Sequence, residues 1–120
     1  MTQEDKELLL KDLCARLPYG VIIQIKDWTV LDAELKIGHI NRLQINDVEL
    51  KPYLFPMSSM TEEQKMFLKQ QNWYIVISTS GTVETTIEGI DWLNKNHFDY
   101  RGLIPMGLAI PVTKENNPYK

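Results

Sequence analysis

The chain has 120 residues, 43% apolar and 24% charged, and its thirteen basic against sixteen acidic residues leave a formal net charge of -3. That is the size of one ordinary domain, able to bury roughly two thirds of the surface its unfolded form exposes, and its composition lies away from the polar, highly charged range of disordered chains. Lys6, Lys11 and Arg16 are interleaved with Glu4, Asp5, Glu7 and Asp12, so the basic footprint that phosphate binding requires is missing and a nucleic-acid partner is not expected.

The opening Met-Thr-Gln-Glu-Asp-Lys is acidic where a secretory signal would be basic and then apolar. No apolar run approaches the roughly eighteen residues that cross a bilayer, so a cytoplasmic protein without membrane contact is expected. Thr2 with Glu4, Asp5 and Glu7 reads as a helix start, because a hydroxyl accepts from an orphan amide and acids suit the positive end of the dipole. Leu9, Leu10, Leu13, Cys14 and Leu17 follow at helical spacing until Pro18 ends the run. Cys14 is the only cysteine, which excludes an internal disulfide and a multi-cysteine zinc site, and its place in the stripe predicts a buried structural thiol.

From Gly20 the period changes to two. Val21 to Lys26, Leu31 to Ile37 and Ile40 to Ile45 predict three strands joined by short connections, hence an antiparallel meander. Residues Asn46 to Met60 carry Pro52 and Pro56 among Tyr53, Leu54, Phe55 and Met57 and predict an apolar loop without regular structure, packed over an open edge or functional. Thr61 and Gln64 form a capping box for a short helix through Gln71, and Trp73 to Ser78 reads as a fourth strand. Ser78 to Thr82 predicts a capped turn; it lacks both the Gly-Lys-Ser/Thr of a P-loop and the three spaced glycines of a dinucleotide fold. Val83 to Asn96 then predicts a helix with Val83, Ile87, Ile90 and Leu93 on one face, in which Gly89 implies close approach by another element.

The chemistry-bearing residues gather where that helix ends. His97, Asp99 and Arg101 stand among Trp92, Phe98 and Tyr100. One reading makes His97 a general base or ligand oriented by an acid, with Arg101 clamping an anion. The other, preferred here, has His97 closing the helix and Arg101 pairing with Asp99 or Asp91, since no nucleophile or metal partner is placed beside them. His39 is the only second histidine, and no motif for a serine hydrolase, zinc protease, redox dithiol or calcium loop occurs. No cofactor, metal or catalytic residue is therefore assigned. Trp92, His97, Asp99, Tyr100 and Arg101, with Tyr53 and Phe55 of the apolar loop, form the candidate binding surface, because aromatics and arginine are enriched at interface centres. Leu108 to Val112 could be a last strand or an arm laid across another subunit, which leaves homo-oligomerisation open. Lys114 to Lys120 reads as a frayed tail after a single domain over 1–113.

The blocks Lys6 to Gly20 (KELLLKDLCARLPYG), Lys51 to Glu63 (KPYLFPMSSMTEE) and Ile90 to Leu108 (IDWLNKNHFDYRGLIPMGL) resemble a group of small uncharacterised proteins of gut Bacteroides genomes, with similar ones carried by prophages and mobile elements. The resemblance covers most of the chain and implies an origin, with no activity to transfer. Together these readings predict an α+β fold, an antiparallel sheet of the meander plus the fourth strand packed with N-terminal and C-terminal helices. The function they predict is that of a non-enzymatic accessory or adaptor acting on an unidentified protein partner. The alternative is a small enzyme or ligand-binding domain using His97, Asp99 and Arg101.

Overall fold

In the computed structural model, which describes residues 1–45, 48–78 and 83–119, the chain folds as α+β. Helix α1 (Gln3–Arg16) starts on a complete capping box, Asp5 N–H donating to Thr2 Oγ1 at 3.0 Å while the Asp5 carboxylate accepts from the Thr2 amide. A 3-10 turn over Leu17–Tyr19 contains Pro18, and Gly20 at φ 71 releases the chain into the sheet. β1 (Ile22–Lys26) and β2 (Val30–Glu34) form the hairpin expected from the two-residue period.

The third strand of the expected meander is instead helix α2 (Ile37–Gln44). The run Ile40-Asn41-Arg42-Leu43-Gln44-Ile45 fits both periods, but only the helical one buries Ile40 and Leu43 together, and Ile45 is left exposed. His39, read as opening a strand, sits in the first turn, where its Nδ1 accepts from Lys36 N–H at 2.9 Å. The apolar loop is also corrected: it contains β3 (Glu49–Leu54), which runs antiparallel to β1, and a 3-10 turn over Met57–Ser59. Pro52 pairs with Ile23, and the parallel strand β6 (Ile110–Pro111) reaches only Tyr53 and Leu54, so beside Pro52 there is no neighbour for its missing N–H to deprive. The main sheet is thus mixed, in the order β2-β1-β3-β6.

Leu9 and Leu13 of α1, Ile40 and Leu43 of α2, and Ile23, Ile25, Leu50 and Leu54 of the sheet make one buried cluster. Cys14, expected in the core, is exposed. At about 100° per residue Leu9, Asp12, Leu13 and Arg16 share one stripe and Cys14 lies beyond its edge, so two charged residues occupy the buried places that the sequence reading gave to the thiol.

Helix α3 (Glu62–Gln70) carries the expected capping box, Gln64 N–H donating to Thr61 Oγ1 at 3.1 Å and Gln64 Oε1 accepting from Thr61 N–H at 2.9 Å. β4 (Ile75–Ile77) falls inside the expected fourth strand but does not join the main sheet; it pairs antiparallel with β5 (Val83–Thr85) in a separate two-stranded sheet. The expected helix from Val83 therefore begins later, as α4 (Ile87–Lys95), capped by the Thr86 hydroxyl accepting from Gly89 N–H at 3.0 Å. The capped turn expected before it falls mostly on residues 79–82, outside those described. Among the described residues no helix is long and apolar enough to cross a membrane.

Gly89 is the close approach that the sequence implied. A Cβ built there would stand 2.1 Å from Thr85 Oγ1 and 3.2 Å from Thr85 Cβ. The Thr85 hydroxyl cannot swing away freely because it donates to the Tyr74 carbonyl across the hairpin. Gly89→Ala, which helix propensity alone would favour by about 1 kcal/mol, is therefore expected to destabilise by roughly 1–3 kcal/mol through overpacking. Chemical denaturation of the two proteins reads the sign directly.

Candidate functional site

Helices α3 and α4 end in the same way, and that ending sets the positions of the rings. Phe98 N–H bonds to Leu93 O at 2.9 Å and His97 N–H to Asn94 O at 3.2 Å; Trp73 N–H bonds to Leu68 O at 3.0 Å and Asn72 N–H to Lys69 O at 3.1 Å. These are paired six-to-one and five-to-two bonds around a left-handed residue, His97 at φ 63 and Asn72 at φ 61, where glycine is commonest. Each exit throws the following aromatic, Phe98 or Trp73, back over its own helix. His97 is thus part of the helix terminus, one position beyond the stop at Asn96 that the sequence suggested.

The three residues that a catalytic reading would bring together are each spent within the structure. Asp99 is buried and its two carboxylate oxygens accept from Leu103 N–H and Ile104 N–H, both at 2.9 Å. Arg101 does not pair with Asp99 or Asp91; its Nε donates to Asp12 Oδ1 at 3.2 Å and its guanidinium to Tyr100 Oη at 3.1 Å. Asp12 also receives Arg16, Nε to Oδ2 at 2.8 Å, and both of these side chains are fully buried. Arg16 reaches on to the Phe98 carbonyl at 2.6 Å, leaving its Nη1 with no partner among the described residues. Tyr100 completes the group, donating to Asn94 Oδ1 at 2.9 Å with both guanidinium carbons over its ring, at 5.3 Å for Arg16 and 5.0 Å for Arg101.

His97 has its ring stacked on Tyr119 at 4.2 Å, and its Nδ1 is buried without a hydrogen-bond partner among the described residues. Burial, with the nearby Arg16 charge second, lowers the imidazole pKa to about 4. Tyr119 belongs to the stretch expected to fray. Its hydroxyl donates to Tyr53 O at 2.6 Å and accepts from Ile22 N–H at 3.0 Å, so it bridges β1 and β3 at the pair that the ladder would reach next. Burial raises its phenol pKa. Tyr53 is also buried, donating to Asp32 Oδ1 at 2.9 Å, and desolvation followed by that hydrogen bond raises its phenol above the ordinary value.

The remaining rings connect these parts. Trp73, Phe67, Trp92, Phe98, Phe55, Tyr119 and His97 follow one another with centroid separations between 4.2 and 6.3 Å. Trp92, His97, Asp99, Tyr100, Arg101 and Phe55 therefore lie in one region much as the sequence grouped them, as internal structure and not as an open concavity, whereas the Tyr53 side chain bonds to Asp32 and Gln24 and only its carbonyl reaches Tyr119.

The open concavity lies elsewhere. A groove of about 660 Å³ runs between α3 and β4, with Met57, Met60, Leu68, Trp73, Ile75 and Ile77 as its apolar lining and Lys65 and Lys69 on the helical wall. Tyr74 and Ile77 of its lining are exposed, Ile77 to 54%, and so are Val76 on the other face of β4 and Met66 on α3. Ile87 and Ile90 of α4, expected on a buried face, are exposed too, because Gly89, Leu93 and Asn94 are the buried ones. The sequence reading missed this surface. Its one signal was Ile75-Val76-Ile77, apolar on both strand faces, which a two-stranded sheet cannot cover. A second groove, of about 700 Å³ beside α1 and β3, has charged residues of both signs, Asp5, Glu49, Lys26 and Lys51. Among the described residues no three or more histidines, cysteines or carboxylates group as metal ligands.

No protein-family model, curated protein or solved structure matches this chain.

Asp12 is the only carboxylate facing two guanidiniums in the buried network, so Asp12→Asn is expected to cost about 3–5 kcal/mol by stranding Arg16. Arg101→Met, at the network's partly exposed rim, is expected to cost much less; the order of the two denaturation midpoints checks the assignment. For His97, a folded pKa near 4 against an ordinary 6.5 means that the unfolded chain binds more protons between those values. Its contribution to stability is present above about pH 6.5 and is lost as pH falls toward 4, roughly 1–2 kcal/mol after allowing for the ring's partial contact with solvent. His97→Asn tolerates the left-handed backbone, and its melting temperature should fall less than the wild type's over that pH interval.

Proposed function

We propose that this chain is a small non-enzymatic accessory or adaptor protein that acts by binding another protein, and that the docking face is the surface formed by α3, the β4–β5 hairpin and the groove between them. The observation that carries the reading is the groove itself: methionine, aliphatic and aromatic side chains around a depression of about 660 Å³, with Tyr74 and Ile77 of its lining exposed. Soluble monomers rarely leave large contiguous apolar patches uncovered, and such patches mark interaction sites. Methionine suits them because its unbranched thioether repacks against different partners.

The candidate surface around Trp92, His97 and Arg101 enters this reading as support for the docking face: the Phe67–Trp92 and Trp92–Phe98 stacks run from α3 to the main sheet. The setting we propose is cytoplasmic, within a phage or mobile-element programme, a setting supported by the resemblance of the Lys-Pro-Tyr-Leu and His-Phe-Asp-Tyr-Arg-Gly-Leu-Ile segments to proteins of that origin.

The test compares the full chain with its Tyr74→Ser/Ile77→Ser variant as bait in lysate of the organism that carries it. Both substituted residues are exposed, so the variant should melt within a few degrees of the wild type. A partner held by the wild type and retained at least about tenfold less by the variant is the expected result, the change that losing two apolar anchors brings. Equal retention by both proteins would sink the proposal.

A further inference from the structure

The groove between α3 and β4 has a charge character that the rest of the chain does not share. The protein carries a net charge of -3, yet the only charged side chains lining this groove are Lys65 and Lys69. Lys65 pairs weakly with Glu62 at 3.3 Å, an exposed pair on the same helix, and Lys69 makes no ion pair among the described residues. The second groove, with two acids and two lysines, has no such bias.

Geometry limits what can lie there. Ile75 and Ile77 are two residues apart on β4 and so share one face of the strand. An occupant of the groove meets that face and the side of α3. A helix suits that seat, because it satisfies its own main-chain groups and needs no main-chain partner from β4. Lys65 and Lys69 are four residues apart, about 6 Å along α3, and so face carboxylates placed one turn apart on a helix lying alongside.

From these features we infer that the groove receives an amphipathic helix of the partner protein, with its apolar face against Met57, Met60, Leu68 and Trp73 and carboxylates one turn apart against Lys65 and Lys69. The inference rests on the docking reading above and adds the chemistry of what docks. Helix-in-groove recognition of this kind takes its affinity from the apolar anchors, while the charges select among helices that share them.

The test uses the full chain and two synthetic helical peptides of about sixteen residues with the same leucine pattern, one flanked by glutamates and the other by lysines, followed by fluorescence anisotropy. The glutamate peptide is expected to bind at least about tenfold more tightly at low salt, with the gap narrowing as salt rises. Lys65→Glu/Lys69→Glu should invert the order, and Lys65→Gln/Lys69→Gln should erase it; circular dichroism confirms that both variants are folded. Equal binding of the two peptides, binding of neither, or a preference untouched by the variants overturns the inference. Saturable binding of dodecanoate with no binding of either peptide would overturn it in favour of a small carboxylate amphiphile. A dimer in sedimentation that the charge-reversed variant abolishes would assign the groove to a second copy of the chain and overturn it as well. Should the Tyr74→Ser/Ile77→Ser bait lose its partner while the peptides show no preference, the docking face stands and the acidic helix falls.

Discussion

The fold depends on one buried guanidinium. Arg16 is at the end of α1 with no exposure to solvent, and it ties Asp12 on its own helix to the Phe98 carbonyl 82 residues away. Removing such a charge from water costs several kcal/mol, recovered only if its donors find acceptors in good geometry. The second of them, the Phe98 carbonyl, is in place only when α4 has ended and Phe98 has turned back, so the first helix and the last third of the chain are formed against each other. Arg101 binds the same carboxylate, and both guanidiniums lie over the Tyr100 ring, which ties residues 98–101 to α1.

With that segment fixed, the rings fall into a line. The left-handed exit at His97 sends Phe98 against Trp92 on one side and Phe55 on the other, and the His97 ring against Tyr119. Phe55 N–H bonds to His97 O at 2.8 Å and Asp99 N–H to Phe55 O at 2.9 Å, so β3 continues past the main sheet into this segment. An imidazole stacked on one face, beside a cation, in a position set by backbone geometry, has little capacity to take up a proton. The residue that seemed most suited to acid-base chemistry is held neutral by the same packing that makes it structural.

The sequence made the helices with capping boxes legible, at Thr2 and Thr61, because there the signal is a local bond between a hydroxyl and an amide three residues on. It also showed the β1–β2 hairpin, the close approach at Gly89 and the grouping of residues 92–101. It misread Ile40 to Ile45, where six residues carry both periods and only tertiary burial of Ile40 with Leu43 selects the helix. It misread Glu49 to Leu54 because proline was taken as a breaker, whereas β6 covers so little of β3 that the missing donor is tolerated. Arg16 and Asp12 entered only as part of the balanced charge of the first segment, since nothing local to α1 announces an acceptor supplied by residue 98.

The groove was illegible for a different reason. Ile75, Val76 and Ile77 were expected to be consumed by the main sheet, which would have left no open apolar face. Instead the β4–β5 pair stands apart, and two strands have no second layer to cover both faces; α3 closes one side only in part. In this molecule the polar groups that look reactive are packed inside, and apolar groups that look like core are left outside. Since an exposed hydrocarbon surface is costly until something covers it and a closed buried network offers a ligand no opening, the docking we propose falls to α3 and its hairpin. The His97 cluster serves it by holding the main sheet and α4 in place behind that face.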